Sequence, residues 1–146
     1  MITKTTFENA LHDAMRQKNE VAKNTYKLLL SSIKMVEIDK GIILDESGII
    51  SILQKEIKMR KESIVDFEKG NRNDLIRTAE SEIEILNSFL PSQIDDEALV
   101  LLVKDAILEV DAKSVSDMGK VMKILIPRLS GKASSDRISA TVRSLL

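Results

Sequence analysis

Residues 50–90 read ISILQKEIKMRKESIVDFEKGNRNDLIRTAESEIEILNSFL, and their spacing decides the fold. Ile50, Leu53, Ile57, Arg60, Ile64 and Phe67 recur at alternating intervals of three and four, which lays one stripe down one face of a helix. Ile76, Ala79, Ile83, Leu86 and Leu90 repeat the pattern downstream. Between the stripes runs Lys69 to Asp74, where Gly70 suits a left-handed C-terminal cap and Asn73 or Asp74 suits the next N-cap. The stretch predicts a long antiparallel αα-hairpin. Arg60 is its irregularity, a charge at a core-type position that either runs its stem along the seam or pairs with a carboxylate such as Glu80 or Glu84.

Upstream, Phe7, Leu11, Ala14 and Met15 fit a first helix capped by Thr5 or Thr6, and Ala22, Thr25, Leu29, Ile33 and Val36 fit a second, with Asn19 at the joint. The β-branched run from Gly41 to Ile50 could form two short strands. An isolated two-stranded hairpin is marginal, and the repeat starting at Ile50 needs a helix, so a loop with Asp45 as N-cap is expected. Downstream, Leu90-Pro91-Ser92-Gln93 stops the repeat, because a residue before proline is disfavoured in helical geometry. Asp95 then caps a helix with Leu99, Leu102, Val103, Ala106, Ile107 and Val110 inward. Ser116 can cap a shorter helix burying Met118, Val121, Met122, Leu125, Ile126 and Leu129, which Pro127 kinks or ends and Gly131 stops. Ser134 or Ser135 opens a last helix with Ile138, Val142 and Leu145 on one face.

The expectation is an all-α protein with four helices before Pro91 and three after. Residues 1–92 form an N-terminal helical domain carrying the hairpin, and residues 93–146 a small three-helix tail domain. So small a tail sits near the limit for a domain without staples, and is expected to lean on the hairpin or to reorient about residues 91–94.

Composition narrows the function. The chain carries 22 basic and 23 acidic side chains, one His and no Cys, for a formal charge of −1. That balance excludes a protein that coats nucleic acid by bulk charge, and equally an acidic disordered tail. The absence of Cys removes disulfides, thiolate metal sites and cysteine nucleophiles, and the lone His12 leaves no histidine metal cluster. No metal or cofactor is implied. The longest uncharged run, Ile85 to Ile94, contains Pro91 and is too short to span a bilayer, and Lys4, Glu8 and Asp13 interrupt any secretory leader. A cytoplasmic protein without membrane attachment is expected. Phe7, Tyr26, Phe67 and Phe89 are too few to stack single-stranded bases.

The balanced total hides a polarised tail. Residues 93–112 hold Asp95, Asp96, Glu97, Asp105, Glu109 and Asp111 against Lys104, whereas residues 113–146 hold seven cations against Asp117 and Asp136. On a helical wheel Lys120, Lys123 and Arg128 fall opposite the apolar half, provided the helix survives Pro127, and Lys132, Arg137 and Arg143 extend the basic set. Two readings stand: an ordinary solvated face, or a surface that binds RNA phosphates with little sequence discrimination. On the hairpin, Lys55, Lys58, Arg60 and Lys61 interleave with Glu56 and Glu62 as i,i+4 pairs, which accounts for most of that cluster.

No catalytic constellation is visible. There is no nucleophile elbow, phosphate-binding glycine loop or dinucleotide fingerprint. Ser134 and Ser135 beside Lys132 resemble a Ser-Ser-Lys amidase set only superficially, and helix capping explains both serines. His12 reads as a surface residue and Asp95-Asp96 as a helix start. A binding or accessory role is favoured over an autonomous enzyme.

Two segments carry more than periodicity. Glu56-Ile-Lys-Met-Arg60-Lys-Glu-Ser63, Phe67, Arg72-Asn-Asp-Leu75, Glu82-Ile83 and Phe89-Leu-Pro-Ser-Gln93 resemble the first motif of the YqeY-like family. Asp117-Met-Gly-Lys-Val-Met122, Ile126-Pro127 and Gly131-Lys-Ala133 resemble its second, which is similar to the tail domain closing the B subunit of the bacterial aspartyl/glutamyl-tRNA amidotransferase. Ser134-Ser135-Asp136 departs from the Asp-Gly usual after the second motif. The resemblance implies a tail that contacts tRNA, a possible partner among tRNA-charging or amidotransferase components, and an association with carbon–nitrogen ligase activity using glutamine as amide donor. It marks Glu56, Lys58, Arg60, Phe67, Arg72, Asp74, Leu75, Met118, Gly119, Pro127 and Gly131 as motif residues without assigning them roles. The rival class is a helical protein-interaction module or adaptor that uses the hairpin and no RNA.

Overall fold

The computed structural model describes all 146 residues, and they form seven α-helices and no strand. In order these are α1 (Lys4–Arg16), α2 (Glu20–Lys40), α3 (Glu46–Lys69), α4 (Asn73–Asn87), α5 (Asp96–Glu109), α6 (Met118–Arg128) and α7 (Ser135–Leu145), with a 3₁₀ turn at Val115–Asp117 before α6. The chain divides into two compact units, Met1–Leu90 and Pro91–Leu146. None of the helices is long and apolar enough to cross a membrane.

Local chemistry sets the helix ends. Asn19, Asp45, Asp95 and Ser134 each accept a hydrogen bond from a backbone N–H three residues on, which satisfies one donor that the first turn leaves orphaned. Three N-caps differ from expectation. Thr3, not Thr5 or Thr6, starts α1, because Thr3 and Thr6 form a reciprocal capping box. Arg72, not Asn73 or Asp74, precedes α4, and Asp74 spends its carboxylate on Arg72. Ser116 does not cap α6; its hydroxyl meets that of Ser114 inside the 3₁₀ turn, and Asp117 precedes the helix.

With only five glycines, the chain closes most of its helices on other residues. Gly70 has φ −90°, and the left-handed position after α3 is taken by Asn71, with Arg72 N–H reaching back to the Phe67 carbonyl. Lys18 after α1 and Asp111 after α5 adopt the same positive φ, each with the next residue's N–H bonded five residues back. Gly41 makes this turn after α2, and beyond it Leu44 N–H donates to Glu37. Pro127 sits in the last turn of α6 without ending it before Arg128.

Unit 1 packs Phe7 of α1, Leu29 and Ile33 of α2, Ile49, Ile52, Leu53 and Ile57 of α3 and Leu86 of α4 into one core. Each such side chain contributes about 1.5–3 kcal/mol on full burial. Phe89 seals its edge, its ring 4.9 Å from Phe7 and 5.9 Å edge-on from Tyr26. Along α3 and α4 residue numbers run in opposite senses, with Phe67 and Leu75 lining one cleft and Arg60 bonded to Glu82. Unit 2 has a separate core of Leu99, Val103, Ala106, Val121, Leu125, Leu129, Ala133, Ile138 and Val142. Two residues expected inside it, Leu102 and Ile126, are exposed, as is Met15 in unit 1. Each lies at the margin of its apolar stripe, and on α6 Ile124 packs against the core instead.

Candidate functional site

The first motif closes on a polar cluster between α3 and α4. Arg60 is held on three sides: Nε donates to Glu82 at 2.5 Å, and Nη1 donates both to the Glu56 carboxylate at 2.7 Å and to the Glu56 carbonyl at 3.1 Å. Ser32 of α2 donates to the other oxygen of Glu56 at 2.8 Å. The Arg60 and Glu56 side chains are only 12% and 13% exposed, so this pairing is largely removed from solvent screening. Burial opposes the charge on Arg60, but the hydrogen bonds and charges of Glu56 and Glu82 outweigh it and hold its pKa above the ordinary value. Glu80 and Glu84, the expected partners, are exposed on the outer side of α4. With α4 running back along α3, Glu82 is the acid that comes level with Arg60.

Around this cluster opens a cleft of about 460 Å³, walled by Leu28, Met59, Phe67, Leu75 and Ala79 with Glu56, Arg60 and Glu82 in its lining. Seven residues of the first motif therefore meet there: Glu56, Met59, Arg60, Ser63, Phe67, Leu75 and Glu82. Lys58 is exposed and is not part of the lining. Arg72 and Asp74 form a two-pronged ion pair at the exposed corner after α3, with N···O distances of 3.2 and 3.1 Å. That pair raises the Arg72 pKa and lowers that of Asp74.

The second motif builds the corner of unit 2. Gly131 is buried with φ 76°, and its carbonyl accepts from Gln93 Nε2 at 2.7 Å, while Ile94 N–H donates to the Lys132 carbonyl at 2.9 Å. Gln93, the last residue of the first motif, thus locks the loop of the second. This pairing over 38 positions leaves no periodic signal in the sequence. Met118 packs against the core, and Gly119 and Pro127 are exposed.

The six cations proposed for RNA separate into two classes. Arg128 makes a two-pronged pair with Glu109 at 2.8 and 3.2 Å, and Arg137 bonds Asp96 at 2.7 Å. Acids of the negative segment thus neutralise two members of the positive one. Lys120 lies 3.7 Å from Asp117, whose carboxylate is held below its ordinary pKa first by the Lys113 N–H and also by Lys120. Lys123, Lys132 and Arg143 are exposed, and the structure gives them no ion pair.

The family model for the Yqey-like protein matches residues 4–146. The chain belongs to this family. Among curated proteins, this Yqey-like chain is 46% identical over 81 residues to altered inheritance of mitochondria protein 41 from Lachancea thermotolerans, covering 55% of this chain and 43% of that protein. The protein of the same name from Vanderwaltozyma polyspora is 40% identical over 83 residues, covering 56% and 45%. That from Pyrenophora tritici-repentis is 28% identical over 144 residues, covering 93% and 76%. The chain spans less than half the length of the first two relatives. All three carry "mitochondrial" in their names, which overturns the cytoplasmic placement. Charge, helix content and the absence of a membrane-length helix describe a folded body and carry no address.

Proposed function

We propose that this Yqey-like chain is an accessory tRNA-binding protein without autonomous catalysis, similar to the tail domain of the glutamine-dependent tRNA amidotransferase. In this reading residues 1–92 are a helical domain built on a long α3–α4 hairpin, and residues 93–146 are the tail that meets RNA. Its association with carbon–nitrogen ligation lies in the assembly it serves. The observation that carries the reading is the uncompensated cationic set of unit 2: Lys123, Lys132 and Arg143, with Lys120 only loosely paired at 3.7 Å. Lysines on short helices and loops fit backbone and shape recognition of folded RNA.

The test is tRNA binding by the full chain across a salt series. Three or four phosphate contacts make log K fall by roughly two to four units per decade of salt. A Lys120→Ala/Lys123→Ala/Lys132→Ala variant that keeps its helix content loses most of that slope. Equal affinity and slope in variant and wild type remove the reading.

A second reading, a helical interaction module, is favoured by the open apolar cleft of unit 1, whose walls Leu28 and Met59 stand about half exposed. Retention of a partner protein that Arg60→Ala abolishes, with no tRNA binding, selects it.

A further inference from the structure

Each unit leaves one helix face apolar and unpartnered, and the two faces match in spacing and in charge. On α2, Leu28, Met35 and Ile38 are 56–68% exposed although they are large and apolar. Leu28 and Met35 are seven residues apart, so they share a face about 10 Å apart along the axis. Lys27 and Lys34, both exposed, run beside them at the same spacing. On α5, Leu101 and Leu108 are 63% and 79% exposed, again seven residues apart. Here the flanking charges have the opposite sign: Glu97 and Asp105 stand four residues either side of Leu101. The minority charges complement each other too, Asp39 on α2 and Lys104 on α5, both exposed.

We propose that α2 of one copy of this chain receives α5 of a second copy. Leu101 and Leu108 seat against Leu28, Met35 and Ile38, and Glu97 and Asp105 lie along Lys27 and Lys34. Equal axial spacing lets the two apolar pairs interleave, as side-chain ridges do in helix packing. The charges fix which helix meets which, because α2 against α2 sets lysines against lysines and α5 against α5 sets acids against acids. Each copy carries both faces, so every copy can both give and receive the contact.

Sedimentation of the full chain over a wide concentration series tests this. Expected is a mass that rises with concentration from 16.3 kDa to that of a dimer or beyond, with weaker association at high salt. Met35→Glu and Leu101→Lys, at exposed positions that leave the cores untouched, each raise the dissociation constant at least about tenfold. Circular dichroism confirms that both variants keep their helix content. Mixing the two variants restores one-to-one association, because the Leu101→Lys copy keeps an intact α2 and the Met35→Glu copy an intact α5. A wild type that stays at 16.3 kDa throughout overturns the proposal. So does self-association that either variant leaves unchanged, or a mixture of variants that remains monomeric.

Discussion

The two units differ in one ion-pair cluster: unit 1 has an enclosed one beside its surface pairs, and unit 2 has surface pairs. Unit 1 draws Arg60 and two glutamates into a half-enclosed cluster against α2, whereas unit 2 lays its ion pairs over the outside, with the Arg128 and Glu109 side chains 53% and 49% exposed. An enclosed pair is costly to break and can shape a site, because its members lose water and gain only one another. A surface pair costs little to break, and its main effect is to cancel charge that a polyanion could otherwise use. The same residue types thus do structural work in one half and set the free charge in the other.

The sharpest way to break this comparison is Arg60→Met. The substitution keeps the apolar stem and removes the guanidinium, leaving Glu56 and Glu82 facing each other with little solvent. A loss of about 2–4 kcal/mol is expected in denaturant unfolding, toward the lower end of losses for a buried pair because the cluster keeps some solvent access. Replacing all three as Glu56→Leu/Arg60→Met/Glu82→Leu recovers most of that loss if unpaired charge is its cause. A triple variant as unstable as the single one assigns the cost to packing instead.

Acid titration probes both halves at once. Glu37 accepts from Lys4 at 2.6 Å and from Leu44 N–H at 2.8 Å, and these bonds hold its pKa below the ordinary 4.5, the Lys4 bond contributing most. A carboxylate depressed in the folded state binds protons more readily when unfolded. Its contribution is therefore complete above pH 4.5 and is lost as pH falls through the folded-state value. Asp117 in unit 2 follows the same sign from an ordinary value of 3.8. Glu37→Gln and Asp117→Asn should each flatten the acid limb, the first from pH 4.5 downward and the second from pH 3.8 downward. An acid limb that neither variant changes would show that these carboxylates are not the groups that titrate with unfolding.

How much of this is legible beforehand follows from what periodicity encodes. The helices, the caps at Asp45 and Asp95, and most inward residues depend on neighbours within four positions, which the chain displays directly. Arg60 stands out because it breaks a stripe, but its partner depends on how α4 falls beside α3, and the exposed Glu80 and Glu84 look as suitable as Glu82 in the sequence alone. The lock of Gln93 on Gly131 lies further out of reach, being a single long-range hydrogen bond to a carbonyl that every residue possesses. Left-handed turns at Lys18, Asn71 and Asp111 escape for a different reason: glycine is the usual marker, and these three positions carry side chains. In the tail, the net charge of each segment is readable, but the cancellation of Arg128 by Glu109 and of Arg137 by Asp96 requires α5 to pack against α6 and α7.

That cancellation yields the smallest effect and the most discriminating one. The Arg128–Glu109 pair is exposed, so a double-mutant cycle with Arg128→Ala and Glu109→Ala should give a coupling of about 0–1 kcal/mol in stability, shrinking with salt. Its consequence for RNA differs in sign between the two partners. Arg128→Ala removes a charge that Glu109 already offsets and should weaken tRNA binding less than Lys123→Ala does. Glu109→Ala releases Arg128 and should strengthen binding and steepen the salt slope by up to about one unit. If Lys123→Ala and Arg128→Ala weaken binding equally while Glu109→Ala changes nothing, the paired and unpaired cations are equivalent, and unit 2 acts through its total charge instead of the few lysines that its folding leaves uncompensated.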